Sequence, residues 1–104
     1  MPTISPSADR VRAVWNGEVL AESDRTLLVE GNHYFPRQDV RSDRLRDSHE
    51  HTFCPWKGTA SYHDVEAGGE RNAGAAWYYP EPMDAAAAIR DHVAFWRGVR
   101  VERV

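Results

Sequence analysis

Short runs of apolar residues, several of them alternating with polar ones, occupy much of the chain and predict β-strands. The predicted strands cover residues 11–15, 19–22, 26–30, 33–35, 59–65 and 74–79. Asn16-Gly17 separates the first two runs, and this dipeptide favours a two-residue hairpin turn because both positions tolerate a positive φ. Residues 67–69, Ala-Gly-Gly, predict a second hairpin turn between the last two runs.

One segment, residues 84–90, has the composition of a helix. Asp84 can cap its N-terminus, and the four alanines that follow have the highest helix propensity. The next segment, residues 91–96, fits two structures: the spacing of Ile89, Val93 and Trp96 would continue the helix, and the same segment also suits a strand. We favour a short α-helix followed by a strand.

The middle of the chain, residues 37–51, is strongly polar, with Val40 and Leu45 as its apolar anchors. We interpret it as a surface loop, with a short helical turn or an edge strand as the alternatives. Residues 1–10 are polar and predict a loose lead-in before a single β-rich domain over residues 11–104. The pattern as a whole indicates a mostly-β domain with one short α-helix, built as two packed sheets or a partly open barrel.

The amino-acid composition indicates which classes of binding partner and which cellular compartment to expect. The 104 residues include 13 Lys+Arg and 16 Asp+Glu, a formal net charge of −3, whereas duplex-binding domains usually carry a basic excess. We therefore expect no nucleic-acid partner. Apolar runs fall far short of the roughly 18–20 residues of a membrane span, and no secretory signal is evident. We therefore expect no membrane partner. Because the chain has a single cysteine, it cannot form an internal disulfide, and we expect it to be cytoplasmic.

The densest group of reactive side chains is residues 49–58, His-Glu-His-Thr-Phe-Cys-Pro-Trp-Lys-Gly. It holds the only cysteine, Cys54, and the only lysine, Lys57, in a chain whose other 12 basic residues are arginines. Loops held on a rigid sheet are common positions for functional side chains. This loop is therefore the first candidate site.

Three chemical interpretations of the loop remain open. Cys54 could be a thiolate nucleophile, with His51 or His49 as its base and with Lys57 or an imidazole lowering the pKa of the thiol. Alternatively, His49, His51, Cys54 and His63 could bind zinc. Structural zinc usually takes four ligands, often from Cys-x-x-Cys pairs, and the sequence has no such pair. We therefore predict that the protein binds no metal and no cofactor. In the third interpretation Cys54 is a small buried apolar residue and the histidines are ordinary loop groups.

Aromatic residues concentrate in the second half of the chain: Trp56, Tyr62, Trp77, Tyr78 and Tyr79. Alternation along a strand places Trp77 and Tyr79 on one face and Tyr78 on the other. One such face can simply be core. It can also line a ligand pocket of rings with a few polar groups, in which Lys57 would hold an anionic group or pair with a carboxylate.

Four stretches occur in an order that resembles a known bacterial family: residues 33–40, 52–62, 76–82 and 89–96. The family is that of domain of unknown function 427, whose hallmark is the Cys-Pro-Trp-Lys-Gly string found here at residues 54–58. The resemblance covers about residues 11–104 and implies a small, mostly-β, tent-like domain of two sheets. Other proteins of that broader architecture hold zinc through cysteine pairs or bind small ligands in an aromatic cage. This chain lacks the cysteine pairs.

Our leading hypothesis is a β domain that binds a small molecule in an aromatic pocket beside the Cys-Pro-Trp-Lys-Gly loop. The aromatic rings would pack against a flat or apolar ligand, and the charge of Lys57 would fix the orientation of the ligand's polar end. The predicted ligand-binding residues are Cys54, Trp56, Lys57, Tyr62, Trp77 and Tyr79. The alternatives are a thiol-dependent enzyme, and a structural module whose aromatics form its core or the interface of a homo-oligomer.

Overall fold

The computed structural model describes residues 3–104, and within them it has ten strands and three 3₁₀ helices. The strands are β1 Ile4–Pro6, β2 Val11–Trp15, β3 Glu18–Ser23, β4 Leu27–Val29, β5 Asn32–Pro36, β6 Leu45–Cys54, β7 Gly58–Ala67, β8 Glu70–Tyr78, β9 His92–Phe95 and β10 Arg100–Arg103. The helices are η1 Arg37–Asp39, η2 Ser42–Arg44 and η3 Asp84–Ile89. The predicted mostly-β fold class is confirmed.

The strands form two antiparallel sheets. Seven strands make the larger sheet in the order β1-β4-β5-β9-β8-β7-β6, and three make the smaller one in the order β10-β2-β3. A bridge between Ala21 and Val40 connects β3 of the smaller sheet to the chain after β5. Within residues 3–104 neither sheet closes on itself, so the two-sheet prediction is confirmed and the fold is not a closed barrel.

Both predicted hairpin turns are present. Asn16 and Gly17 have φ values of 49° and 78°, and Gly68 and Gly69 have φ values of 59° and 77°. Two consecutive positive φ angles define the type I′ turn, whose twist matches that of antiparallel strands. The turns connect β2 to β3 and β7 to β8.

The predicted α-helix over residues 84–90 is wrong. The chain there forms η3, a 3₁₀ segment with a kink at Ala86, and Asp84 does not cap it because the N-cap is Met83. A stretch of six residues is too short to repay α-helix nucleation, and it buries only Ala86 and Ile89. The favoured strand that follows is confirmed as β9. No helix in residues 3–104 is both long enough and apolar enough to cross a membrane.

The polar middle of the chain is more regular than the predicted surface loop. Residues 37–44 contain η1 and η2, and from Leu45 onward the chain enters β6, a strand at the edge of the larger sheet. Polar side chains cover much of this strand, and they protect a free edge from further strand pairing. The loop interpretation is wrong for residues 45–51, where the edge-strand alternative holds.

The N-terminal segment is also more ordered than predicted. Ile4 pairs with Val29 and Pro6 with Leu27, and the Ser7 N–H donates to the Thr26 carbonyl at 2.9 Å. The loose lead-in predicted for residues 1–10 is therefore wrong over residues 4–7. Residues 1–2 lie outside the described part of the chain.

Two apolar clusters occupy opposite faces of the larger sheet. The first fills the space toward the smaller sheet, where Phe35 meets Phe95 edge-on with ring centroids 5.7 Å apart. The second lies on the other face and includes Tyr34, Tyr62, Trp77 and Tyr79, with Ala86 and Ile89 of η3 against it. The predicted alternation holds, because Tyr78 packs against the first cluster while both its neighbours belong to the second. The second, aromatic cluster contains the candidate site.

Candidate functional site

The Cys-Pro-Trp-Lys-Gly loop is the tight connection between β6 and β7. Gly58 starts β7 with a φ of +113°, which L side chains rarely adopt. A Cβ atom at this position would lie 3.3 Å from the carbonyl oxygen of Glu81. The Met83 N–H donates to the Lys57 carbonyl at 3.0 Å, so the segment after β8 packs directly on the loop. Backbone conformation and close packing both require glycine here.

Replacing Gly58 with alanine is expected to lower the free energy of unfolding by about 2–4 kcal/mol, because the disfavoured φ and the crowding against Glu81 add. Gly69→Ala is the matched control, since Gly69 has a φ of +77° and open space around its missing Cβ. We expect the control to cost about 1–2 kcal/mol. Denaturant unfolding of the two variants measures the difference, and equal losses would contradict the described path of the loop.

Lys57 is turned inward by this loop. The residue is 7% exposed, and its ammonium pairs with the Glu30 carboxylate. Its Nζ lies 5.6 Å from the Trp56 ring centroid and 5.4 Å from that of Tyr79, within the range of cation–π attraction. The Trp56 indole N–H donates to the same carboxylate at 3.5 Å. Of the two roles predicted for Lys57, the structure shows pairing with a carboxylate.

The electrostatics of this pair keep both groups charged. Burial is the largest single influence on the pKa of Lys57 and lowers it, but the hydrogen bond to Glu30 and the surrounding electrostatic attractions together outweigh it and raise this pKa above its ordinary value. The same hydrogen bond lowers the pKa of Glu30. Burial raises the pKa of Tyr79 to about 12 and that of Tyr34 above its ordinary value. Both tyrosines therefore remain neutral hydroxyl groups beside a permanent cation.

Aromatic rings and this cation line a shallow, open pocket of about 220 Å³. The lining residues are Asn32, Lys57, Tyr62, Trp77, Tyr79 and Trp96. Trp77 and Trp96 meet nearly edge to face, with centroids 5.4 Å apart and an interplanar angle of 69°. Tyr62, the cross-strand partner of Trp77, also approaches Trp96, with centroids 6.2 Å apart. Four of the six predicted ligand-binding residues are thus brought together in one concavity.

The polar atoms of the rings are mostly occupied within the protein. The Trp77 indole N–H donates to the Tyr34 hydroxyl at 3.0 Å, and the Trp96 indole N–H donates to the Gly74 carbonyl at 2.7 Å. The Tyr62 hydroxyl hydrogen-bonds with the Thr52 hydroxyl at 2.8 Å. A molecule in the pocket would therefore meet ring surfaces, and it would find polar partners chiefly at Lys57, Asn32 and the Tyr79 hydroxyl.

The other two predicted ligand-binding residues, Cys54 and Trp56, lie beside the pocket. Both are partly buried against the aromatic cluster without lining the cavity. Trp56 and Lys57 both donate hydrogen bonds to the Glu30 carboxylate. Cys54 is a free thiol opposite Gly58 in the β6–β7 pair.

The predicted base is not brought to the thiol. His51 pairs with Ser61 in the ladder, and its Nδ1 lies 3.3 Å from the Ser61 hydroxyl. Alternation along β6 places the His51 side chain on the opposite face of the sheet from Cys54. His49, the second predicted base, is an exposed residue of the same strand. Across residues 3–104 no three His, Cys, Asp or Glu side chains converge as a metal site would require.

Three residues that the sequence analysis missed complete the site: Glu30, Asn32 and Trp96. Glu30 occupies the first position of the β4–β5 turn with a φ of 53°, where Asn, Asp or Gly is the usual choice. No local signal in the sequence marked its carboxylate as the partner of Lys57. Trp96 follows β9 and is 40% exposed.

Comparison with known families agrees with the resemblance seen in the sequence. A family model described as "Domain of unknown function (DUF427)" matches residues 3–104. The chain belongs to this family. No curated protein sequence matches it. The family description assigns no activity, so the function of this DUF427 domain has to be argued from its site.

Proposed function

We propose that this DUF427 domain binds a small, flat molecule in the aromatic pocket. The observation that carries the proposal is the convergence of Tyr62, Trp77 and Trp96 around one cavity, in which Lys57 is the one charged lining residue among residues 3–104. Ligand sites are typically concave and apolar, with a few polar groups that fix orientation. Another open depression, of about 340 Å³, is lined largely by charged side chains, most of which form ion pairs, such as Arg46 with Glu66.

The size and polarity of the pocket define the class of ligand. A volume of about 220 Å³ lies below the range of drug-sized sites, which start at roughly 300 Å³, and favours a ligand of one or two rings. Glu30 neutralises Lys57, so the ligand does not need a negative charge. The ammonium has three N–H donors and can still donate to a carbonyl oxygen, and Asn32 can hydrogen-bond a neighbouring amide. A planar heterocycle that carries an amide fits this combination.

Isothermal titration calorimetry with nicotinamide and 2-pyridone tests the proposal, and cyclohexanecarboxamide serves as the non-planar control. We expect saturable binding of the planar compounds, weaker binding of the control, and loss of binding in Trp96→Ala. An absence of saturable heat, or equal binding by Trp96→Ala, would overturn the proposal. Wild-type self-association that Trp96→Ala abolishes would favour the homo-oligomer alternative instead.

The thiol-enzyme alternative makes a different prediction. Because His51 and Cys54 lie on opposite faces of the sheet, we expect His51→Asn to leave the rate of Cys54 alkylation by iodoacetamide unchanged at every pH. His49→Asn is the companion variant for the second predicted base. A slower reaction in either variant would show a working Cys–His pair and would favour the enzyme.

A further inference from the structure

A second open pocket lies on the opposite face of the larger sheet. It is about 230 Å³ in volume and is lined by Arg37, His63, Tyr78, Pro80 and Asp91. His63 follows Tyr62 on β7, and Tyr78 follows Trp77 on β8, so alternation separates these side chains from the aromatic pocket. The two cavities share no lining residue. This second pocket, which we call the Arg37 pocket, is chemically different from the first.

Arg37 and Arg90 are the two arginines that form no ion pair within residues 3–104, and Arg90 donates to the Pro80 carbonyl at 3.1 Å. Ten of the 12 arginines form ion pairs with carboxylates, whereas in residues 3–104 no carboxylate oxygen lies within ion-pair distance of the Arg37 guanidinium. Arg37 instead lies over the Tyr78 ring, 4.7 Å from its centroid, with Nη1 3.3 Å from His63 Nε2. Most of its five N–H donors therefore have no protein acceptor.

His63 is the buried partner of this arginine. It is 7% exposed and stacks on Tyr78 with centroids 4.6 Å apart. A guanidinium can only donate, so Nε2 of His63 accepts and the ring proton is on Nδ1. Nδ1 is buried and has no hydrogen-bond partner among residues 3–104, and a carboxylate oxygen of Asp47 lies 3.5 Å away. At neutral pH the pair therefore carries one positive charge, on Arg37.

We propose that Arg37 and His63 together bind the oxyanion group, carboxylate or phosphate, of a small molecule in the Arg37 pocket. The planar fork of Arg37 matches two oxygen atoms of such a group. An oxyanion placed there would also accept a hydrogen bond from His63 Nε2 once that nitrogen is protonated, in place of the bond that the nitrogen now accepts from Arg37. Binding is then coupled to proton uptake by His63, because the neutral ring offers only a lone pair at Nε2 to the ligand.

The groups that face His63 set the pH at which this coupling operates. Burial and the charge of Arg37 lower the pKa of His63, while Asp47 and Asp64 act in the opposite direction. From β8 the Tyr78 ring stacks on the imidazole. Asp91, at the rim of the same pocket, carries a negative charge that opposes an incoming anion. We therefore expect affinity to increase as pH falls through and below the ordinary histidine range.

A single substitution at Asp91 tests how its charge affects anion binding. Its φ is 61°, a conformation that asparagine tolerates well, and its carbonyl accepts the Arg37 backbone N–H at 2.8 Å. Asp91→Asn keeps both the backbone and that hydrogen bond while removing the charge. This variant should bind anions more tightly than the wild type.

NMR titration with sodium acetate and, separately, inorganic phosphate at constant ionic strength tests the proposal. We read the His63 ring resonances at about pH 6 and about pH 8, on either side of the ordinary histidine pKa. Acetate keeps one charge over this range, so its binding should be several-fold tighter at the lower pH. If acetate alone saturates the shift, the oxyanion group of the ligand is a carboxylate. If inorganic phosphate alone saturates it, the group is a phosphate.

Three variants complete the test. Arg37→Gln should abolish saturation, Arg37→Lys should weaken it because the fork is lost, and His63→Gln should remove the pH dependence of acetate binding. The indole resonances of Trp77 and Trp96 should not follow the His63 titration, which keeps the result independent of the aromatic pocket. The proposal is overturned if neither anion saturates the His63 shift, or if the folded Arg37→Gln variant binds as the wild type does.

Discussion

Glu30→Gln should destabilise the fold more than Lys57→Met, although the two substitutions break the same ion pair. Glu30 is about half exposed, so after the loss of Lys57 its carboxylate can be hydrated by water. Lys57 is buried, and without Glu30 its charge is held among rings with no counter-charge. Removing one partner of a buried pair is costly, whereas replacing the charge by an apolar side chain of similar volume is often neutral.

We expect Glu30→Gln to lower the free energy of unfolding by about 2–3 kcal/mol, less than for a fully buried pair because Glu30 is partly in water. Lys57→Met should stay within about 1 kcal/mol of the wild type. Urea denaturation measures both. The double variant should resemble Lys57→Met alone, since methionine removes the charge that glutamine leaves unpaired. A larger loss in Lys57→Met than in Glu30→Gln would contradict this burial of the pair.

The pH dependence of the pair follows from the directions of the two pKa shifts. The pKa of Glu30 is lowered, so its contribution is present above the ordinary glutamate pKa and is lost as pH falls through the folded value. The pKa of Lys57 is raised, so its contribution is complete below the ordinary lysine pKa and is lost as pH rises through the folded value. Across the neutral range the stabilisation should be constant.

Trp77→Ala should lower the free energy of unfolding by about 3–5 kcal/mol, a loss typical of removing a buried aromatic ring. Trp77 is 9% exposed and meets Tyr34 edge-on, with centroids 6.0 Å apart. Its truncation would leave a cavity under the aromatic pocket and would take away the N–H that the buried Tyr34 hydroxyl accepts. Thermal and denaturant unfolding of the variant measure this loss.

Trp96→Ala is the matched control for Trp77→Ala. Trp96 is 40% exposed, so we expect its removal to cost no more than about 1–2 kcal/mol. Similar losses at the two positions would show that Trp96 is core rather than pocket wall. A folded Trp96→Ala protein is also what allows binding to be separated from stability in the calorimetric test.

Local signals in the sequence predicted the parts of the fold that depend on local structure. Asn16-Gly17 and Gly68-Gly69 form turns because only a few residue types tolerate two positive φ angles in succession. The division of Trp77 and Tyr78 between two faces follows from strand geometry alone. The edge strand β6 was harder to predict, since polar side chains on an exposed edge do not alternate as those of a half-buried strand do.

Charge pairing between distant parts of the chain was not predictable. Lys57 and Glu30 are 27 residues apart, and Arg37 and His63 are 26 apart. Nothing in a single sequence specifies which of 16 acidic residues reaches the one lysine. Sequence reasoning identified Lys57 from its rarity in an arginine-rich chain, but only the arrangement of β4, β5 and the loop after β6 identifies its partner.

The most direct test of ligand binding in the aromatic pocket is ¹⁵N NMR of the indole N–H groups during titration with nicotinamide. Trp77 and Trp96 line the pocket, whereas Trp15 packs against the apolar cluster on the other face of the sheet. We predict saturable shifts of the Trp77 and Trp96 signals with one shared dissociation constant and no shift of Trp15. Unchanged Trp77 and Trp96 signals, or an equal response from Trp15, would contradict a binding site in this pocket.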